Sequence, residues 1–133
     1  ITPITIENIA LTGYSWVKKE TQWRFITRWQ VDSAPNDVSF HLFHHLRDNS
    51  TQNKLLAQED VPMSSRSWQR GDVVYVWADF KPNAQLDNAN ELIMQLGIYR
   101  YPSLQRLAPL APASLSRGVT VLRNEMMVEL KIR

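Results

Sequence analysis

The sequence predicts an all-β domain, an antiparallel β-sandwich of about eight to nine strands, immunoglobulin-like or jelly-roll-like. Three observations predict it. Short segments rich in aromatic and β-branched residues recur along the chain, most densely from Trp68 to Phe80. Clusters of Asp, Asn, Ser, Gly and Pro separate them. Several segments alternate apolar with polar side chains, the pattern of a sheet that packs on one face and meets water on the other. This arrangement favours a sandwich over a βαβ fold.

Ile4 to Trp16 alternates in part, with a change of phase across Glu7-Asn8, and reads as two short strands or one bulged strand broken by Gly13. Gln22 to Val31 gives the cleanest alternation. Trp23, Phe25, Thr27, Trp29 and Val31 share one face; Gln22, Arg24, Arg28 and Gln30 lie on the other with Ile26. Burial of large aromatics is the rule, so Trp23 and Trp29 are expected in the core. Val38 to Arg47 follows the turn cluster 32–37, with Val38, Phe40, Leu42, His44 and Leu46 on one face. A polar turn and the strand Leu55 to Val61 complete a hairpin.

Pro62 to Arg70 reads as a Ser-rich loop closed by Gly71, after which strand 72–80 begins. Residues 81–90 read as a long polar connection. Leu92 to Tyr101 is a further strand whose interior Gly97 marks a bulge or a close backbone approach. Pro102 to Gly118 holds three prolines and no clean period, so it is expected to be irregular. Val119 to Leu122 and Met126 to Ile132 form a last hairpin.

At 133 residues the chain fits one domain, 1–133, with enough length for a core that needs no staples. It contains no cysteine, which excludes disulfides, thiolate metal sites and cysteine nucleophiles. No apolar run reaches the length of a membrane span. The first residue is Ile1, so the chain is expected to be a piece of a longer protein. Net charge is only +2, distributed as −2 over residues 1–99 and +4 over residues 100–133. So small a charge reads as an ordinary soluble protein with a slightly basic end.

His41, His44 and His45 fall within five residues and raise the question of a metal. On a strand, His41 and His45 share a face about 13 Å apart at roughly 3.3 Å per residue, and His44 points the other way. Zinc needs ligand atoms about 2 Å from one ion, so no metal site and no cofactor are expected. Arg24 and Arg28 alternate with Trp23 and Trp29, which puts cations and rings on opposite faces; a nucleic-acid partner is not expected. Glu59, Asp60, Asp72 and Asp79 could supply a hydrolase pair, but nothing in the sequence fixes their separation. There is no Gly-x-Ser-x-Gly elbow, phosphate loop or His-Glu-x-x-His motif, and no catalytic residue is assigned. Trp16, Trp68 and Tyr101 stand near strand ends or in loops, where they could offer a sugar-stacking platform or pack the sandwich rim. Asn49-Ser50-Thr51 matches a glycosylation acceptor, a pattern that arises easily by chance.

A series of landmarks carries a resemblance. It runs from Leu11-Thr-Gly-Tyr14 and the strand holding Trp29, through Phe43-His-His-Leu-Arg47 and Ala57-Gln-Glu-Asp60 with Pro62, to Trp68-Gln-Arg-Gly71 and Asp79. Leu96-Gly-Ile-Tyr99 and Arg106-Leu107 complete it. In order and spacing these resemble the soluble β-sandwich domain at the C-terminal end of bacterial multi-pass membrane glycosyltransferases of the dolichyl-phosphate-mannose type. His44, where that family usually has an aliphatic residue, and the long 81–90 connection depart from the pattern. The resemblance implies an extracytoplasmic domain attached to a membrane portion that holds the catalytic acids, so the fragment itself is not expected to be an enzyme. It implies location and context rather than an active site. The role expected on that basis is a non-catalytic accessory one, binding or positioning a glycan or lipid-linked sugar, with His45, Asp60, Tyr99 and Arg106 joining Trp16, Trp68, Asp79 and Tyr101 as candidate ligand-binding residues. The alternative is a structural or protein-interaction module with no small ligand. Exposed Trp or Tyr beside carboxylates and amides would favour the first; an apolar patch or unprotected edge strand would favour the second.

Overall fold

The computed structural model describes residues 1–50 and 53–133 and shows two antiparallel sheets packed face to face. The first sheet contains β1 (Ile4–Ile6), β2 (Ile9–Lys18), β3 (Trp23–Val31) and β6 (Val73–Phe80), in the order β1-β2-β3-β6. The second contains β4 (Ser39–Asp48), β5 (Leu55–Pro62), β7 (Leu92–Tyr101), β8 (Val119–Leu122) and β9 (Met127–Lys131), in the order β5-β4-β7-β9-β8. With β2, β3 and β6 in one sheet and β4, β7 and β9 in the other, the pairing follows the A-B-E and C-F-G order of an immunoglobulin-like sandwich. The all-β expectation and its strand positions are borne out. No helix among the described residues is long and apolar enough to cross a membrane.

Alternation decides which side chains meet between the sheets. From β3, Phe25, Thr27, Trp29 and Val31 turn inward; from β4, Phe40, Leu42, His44 and Leu46 face them. Leu92, Met94, Leu96 and Ile98 of β7 and Val128 and Leu130 of β9 complete the second sheet's inner surface. Each large apolar side chain removed from water here is worth about 1.5–3 kcal/mol. The polar atoms of Trp29 and Thr27 find partners. Trp29 Nε1 donates to Thr27 Oγ1 at 2.7 Å, and that hydroxyl donates to the Val76 carbonyl at 3.2 Å.

Three connections differ from expectation in instructive ways. Gly13 does not break the second strand: β2 runs through it, with a register shift between Leu11 and Gly13. The Ser-rich loop contains a 3₁₀ turn, Ser65–Ser67, because Ser65 Oγ accepts from the Phe40 amide at 2.8 Å and donates to the Val38 carbonyl at 2.6 Å. That clasp brings Trp68 onto Phe40, with ring centroids 6.1 Å apart. The polar run after β6 includes the helix α1 (Ala84–Asn88), capped by Asn83, whose Oδ1 accepts from the Leu86 amide at 2.8 Å while Leu86 itself is buried. Gly71 has a φ of 90° and donates its amide to Val31, so the turn into β6 needs glycine's access to positive φ. The Asn49-Ser50-Thr51 acceptor pattern includes Thr51, which lies outside the described residues.

Candidate functional site

The outward face of the five-stranded sheet carries the candidate site, centred where β4 runs between β5 and β7. Register brings the residues together. His41 lies opposite Tyr99, and Phe43 lies between Asp60 on one side and Gly97 on the other. Gly97 is the close-approach position: a Cβ there would collide with the Phe43 ring. The missing side chain lets that ring lie flat across β7. Beyond the sheet, the chain turns after Tyr101 and returns so that Arg106 bridges to Tyr99 and Leu107 donates its amide to the Ile98 carbonyl at 2.9 Å. The Arg106 guanidinium then stands 4.7 Å above the Phe43 ring. Phe43 is therefore buried although it points away from the core between the sheets.

Phe43, His45, Asp60, Tyr99, Leu104 and Arg106 line a pocket of about 280 Å³. Tyr99 donates its hydroxyl to Asp60 Oδ2 at 3.0 Å. Burial, the bond to Asp60 and the nearby negative charge together push the Tyr99 phenol up to about 12, so it stays protonated and donating. Burial, then the positive charges of Arg47 and Arg106 against the opposing pull of Asp60, hold His45 below its ordinary value of 6.5. At neutral pH its imidazole is thus mainly neutral, with one donor and one acceptor nitrogen. Beside the pocket, His41 is sandwiched at 5.4 Å from Tyr99 and 4.6 Å from Tyr101, and Tyr101 is 53% exposed. The result is a partly apolar hollow with a carboxylate, a phenol, an imidazole and a guanidinium converging on it, flanked by an exposed aromatic stack.

Four of the eight candidate residues, His45, Asp60, Tyr99 and Arg106, thus meet in one pocket, and Tyr101 adjoins it through His41. The other three lie elsewhere. Trp68 is a correction: at 7% exposure it packs on Phe40 in the core and cannot serve as a platform. Trp16 is half-buried, stacked on Trp23 at 5.0 Å and against Phe25 and Phe80, with its indole N–H buried away from any partner among the described residues. Asp79 lies on the opposite side of the molecule, on the outward face of the first sheet, held by Arg24 through two hydrogen bonds of 2.8 and 3.0 Å. That bond depresses the Asp79 carboxyl below its ordinary range.

The histidines divide as strand geometry requires. His41 and His45 face outward, and His44 is fully buried between the sheets. Its Nδ1–H donates to the Glu59 carbonyl at 3.2 Å, while Nε2 finds no partner among the described residues. Among the described residues no cluster of His, Asp and Glu suited to a metal ion occurs. The pocket lining contains a single carboxylate, Asp60, rather than the pair that glycoside hydrolysis uses.

The sequence reading missed Phe43 and His41 as parts of the site, and it missed an exposed aromatic row. Val73, Tyr75 and Trp77 stand out from β6 at 57%, 56% and 49% exposure, on the same outward face as Arg24 and Arg28. Val73 to Phe80 is apolar at every position but Asp79, so no alternation in the sequence marks which of its side chains face outward. On this face Arg24 stacks over Trp77 at 5.3 Å, and Arg28 donates from Nε to Thr12 Oγ1 at 3.0 Å.

No family profile matches the chain, and no curated protein sequence matches it. Among solved structures, the chain is similar to a DUF3823 family protein from Parabacteroides merdae, at a TM-score of 0.51 and 12% identity. The match covers 95% of this chain and 52% of that one, so the chain spans about half the length of its structural neighbour. At that identity the likeness concerns the fold.

Proposed function

We propose that the outward face of the five-stranded sheet binds a saccharide, and that the domain is a non-catalytic accessory module of a membrane glycosyltransferase-like protein. In that reading it holds a glycan or lipid-linked sugar for the parent chain's membrane domain on the extracytoplasmic side. The observation that carries the binding reading is the pocket in which Tyr99 and Asp60 share a hydrogen bond beside His45 and Arg106, next to the exposed Tyr101 ring. A sugar ring presents C–H groups on its faces and hydroxyls at its rim. Aromatic rings cover the former; Asp60 Oδ1, the His45 nitrogens and the Arg106 guanidinium suit the latter. A wet, shallow, mixed surface fits such a ligand better than a buried apolar one.

A glycan array with the 133-residue chain, followed by titration calorimetry on the best ligand, tests the proposal. Asp60→Ala removes a charged hydrogen-bond acceptor worth about 1.5–3 kcal/mol, so affinity should fall about tenfold or more. Tyr101→Ala should weaken binding as well. Binding to no glycan, or binding untouched by both substitutions, would overturn the reading. The alternative, a protein-interaction module, draws on a separate observation, the exposed row on β6.

A further inference from the structure

A β-sandwich of this kind has four open sheet edges, and three of them here are blunted. β1 has only three residues, and Leu110 covers it by donating its amide to the Thr5 carbonyl at 2.8 Å. β8 has only four residues. β5 carries Glu59, Asp60 and Pro62, and its pairing with β4 is interrupted by a register shift at Leu46/Arg47. Charge, proline, irregularity and shortness are the devices that keep sheet edges from pairing with other chains. β6 has only one charge, Asp79 near its end and already paired with Arg24, and none of the other devices. It is eight residues long, Val-Val-Tyr-Val-Trp-Ala-Asp-Phe, paired on one side with β3, and free of proline, glycine and lysine.

The ladder fixes which backbone groups that edge presents. Val31 donates to the Asp72 carbonyl at 2.8 Å, and the register with β3 continues without a shift from Gln30↔Val73 to Trp23↔Phe80. Hydrogen-bonded pairs alternate in an antiparallel ladder, so Val74, Val76, Ala78 and Phe80 bond to β3. The amides and carbonyls of Val73, Tyr75, Trp77 and Asp79 therefore point away from the sheet. These four are also the residues whose side chains stand on its outward face.

We propose that β6 is a self-association edge, pairing antiparallel with β6 of a second copy of this chain about a two-fold axis at Val76. A second copy fits because the strand is its own complement in this register. Tyr75 falls opposite the partner's Trp77, and Trp77 opposite the partner's Tyr75, giving two aromatic cross-strand pairs on the outward face. The outward-pointing backbone groups of Val73, Tyr75, Trp77 and Asp79 meet one another, so every vacant donor and acceptor in the span is used. Asp79, the strand's one charge, falls opposite the partner's Val73 and keeps its own Arg24; no like charges are opposed. The interface is isologous and closes after two copies, joining the two four-stranded sheets into one.

Sedimentation velocity on the 133-residue chain, across a range from low micromolar to several hundred micromolar, should show a reversible monomer–dimer equilibrium. Tyr75→Lys and Trp77→Lys, made separately, should each weaken dimerisation about tenfold or more, because each removes both aromatic pairs and places an ammonium at the edge. Circular dichroism of each variant establishes that it is folded, and either folded variant suffices. Hydrogen exchange supplies a measurement free of substitutions: the amides of Val73, Tyr75, Trp77 and Asp79 should gain protection as concentration rises. A chain that is monomeric throughout the range overturns the proposal, including the case in which β6 instead accepts an extended segment of a different protein. So does a dimer that survives both lysine substitutions with these amides unprotected. The glycan experiment reads the opposite face, so the two proposals fail separately.

Discussion

The two outward faces of the sandwich are built from similar residue types and treat them oppositely. On the four-stranded sheet, Val73, Tyr75 and Trp77 stand out into solvent, while the polar groups around them satisfy one another. Asp79 is taken up by two nitrogens of Arg24, Nε and Nη2, and Arg28 is tied to Thr12. On the five-stranded sheet the rings lie against each other, His41 between two tyrosines and Phe43 under Arg106, and the polar atoms open into a hollow. Asp60 takes one hydrogen bond, from Tyr99 to Oδ2, and among the described residues Oδ1 has no side-chain partner. A carboxylate held by a two-pronged arginine has little left to offer a ligand; one held by a single phenol still has an acceptor. The sugar-binding and self-association proposals rest on this difference between the faces.

That contrast holds only while the core between the faces is intact, and acid is the strongest way to break it. His44 sits between the sheets, edge-on to Phe25 and Phe80, and burial lowers its pKa to about 4 from an ordinary 6.5. Between those values the unfolded chain binds a proton that the folded one refuses, so stability falls as pH drops through this window and is unaffected by this group above it. The full loss is on the order of 3 kcal/mol. Urea midpoints at pH 7, 6, 5 and 4 should trace it, and His44→Leu should flatten the profile. An equally steep profile in His44→Leu would assign the acid sensitivity to other groups.

Next in size is a pair of glycine substitutions that compares the faces directly. Gly97→Ala forces a methyl group into the Phe43 ring, and overpacking of this kind costs about 1–3 kcal/mol. Because the displaced ring forms part of the pocket, sugar binding should weaken along with stability. Gly13→Ala, on the other sheet, meets only the Arg28 side chain at 3.7 Å, an ordinary contact, and should change stability by less than about 0.5 kcal/mol. Equal urea midpoints for the two variants would show that Phe43 has room to move and that Gly97 does not shape the site.

How much of this could be read from the sequence depends on the range of the interaction involved. Alternation placed Trp29 and His44 on the buried faces because a strand's pleat is a local property. Gly97 was legible as a close approach, though not which ring approached it. Trp68 was not legible as core, because its neighbours read as a loop and only the Ser65 clasp, through backbone groups of Val38 and Phe40 at the start of β4, turns it inward. The helix at 84–88 was hidden for a similar reason: one Asn cap and one buried leucine, Leu86, hold a five-residue segment with no other large apolar side chain. The pocket is the clearest case. His45, Asp60, Tyr99 and Arg106 are spread over 62 positions of the chain, and they meet because β5, β4, β7 and the returning segment are neighbours, an order no local pattern encodes. The outward row on β6 was hidden as well, since Val73 to Ala78 is apolar throughout and does not alternate as β3 does.

The smallest expected effect concerns the ion pair that distinguishes the four-stranded face. Arg24 and Asp79 are both partly exposed, with side-chain exposures of 24% and 31%. Exposed pairs are largely screened by solvent, so Asp79→Asn should leave the urea midpoint at pH 7 nearly unchanged. The small difference between wild type and Asp79→Asn should then close in acid. The bond to Arg24 lowers the Asp79 carboxyl below its ordinary 3.8, so this contribution is present above that value and fades as pH falls through the lowered one. It therefore falls below the His44 window, and comparing wild type with Asp79→Asn between pH 4 and 2 separates the two. A large destabilisation at neutral pH would mean that the pair does more than occupy its own charges. The four-stranded face would then depend on its polar network as much as the five-stranded face depends on Gly97.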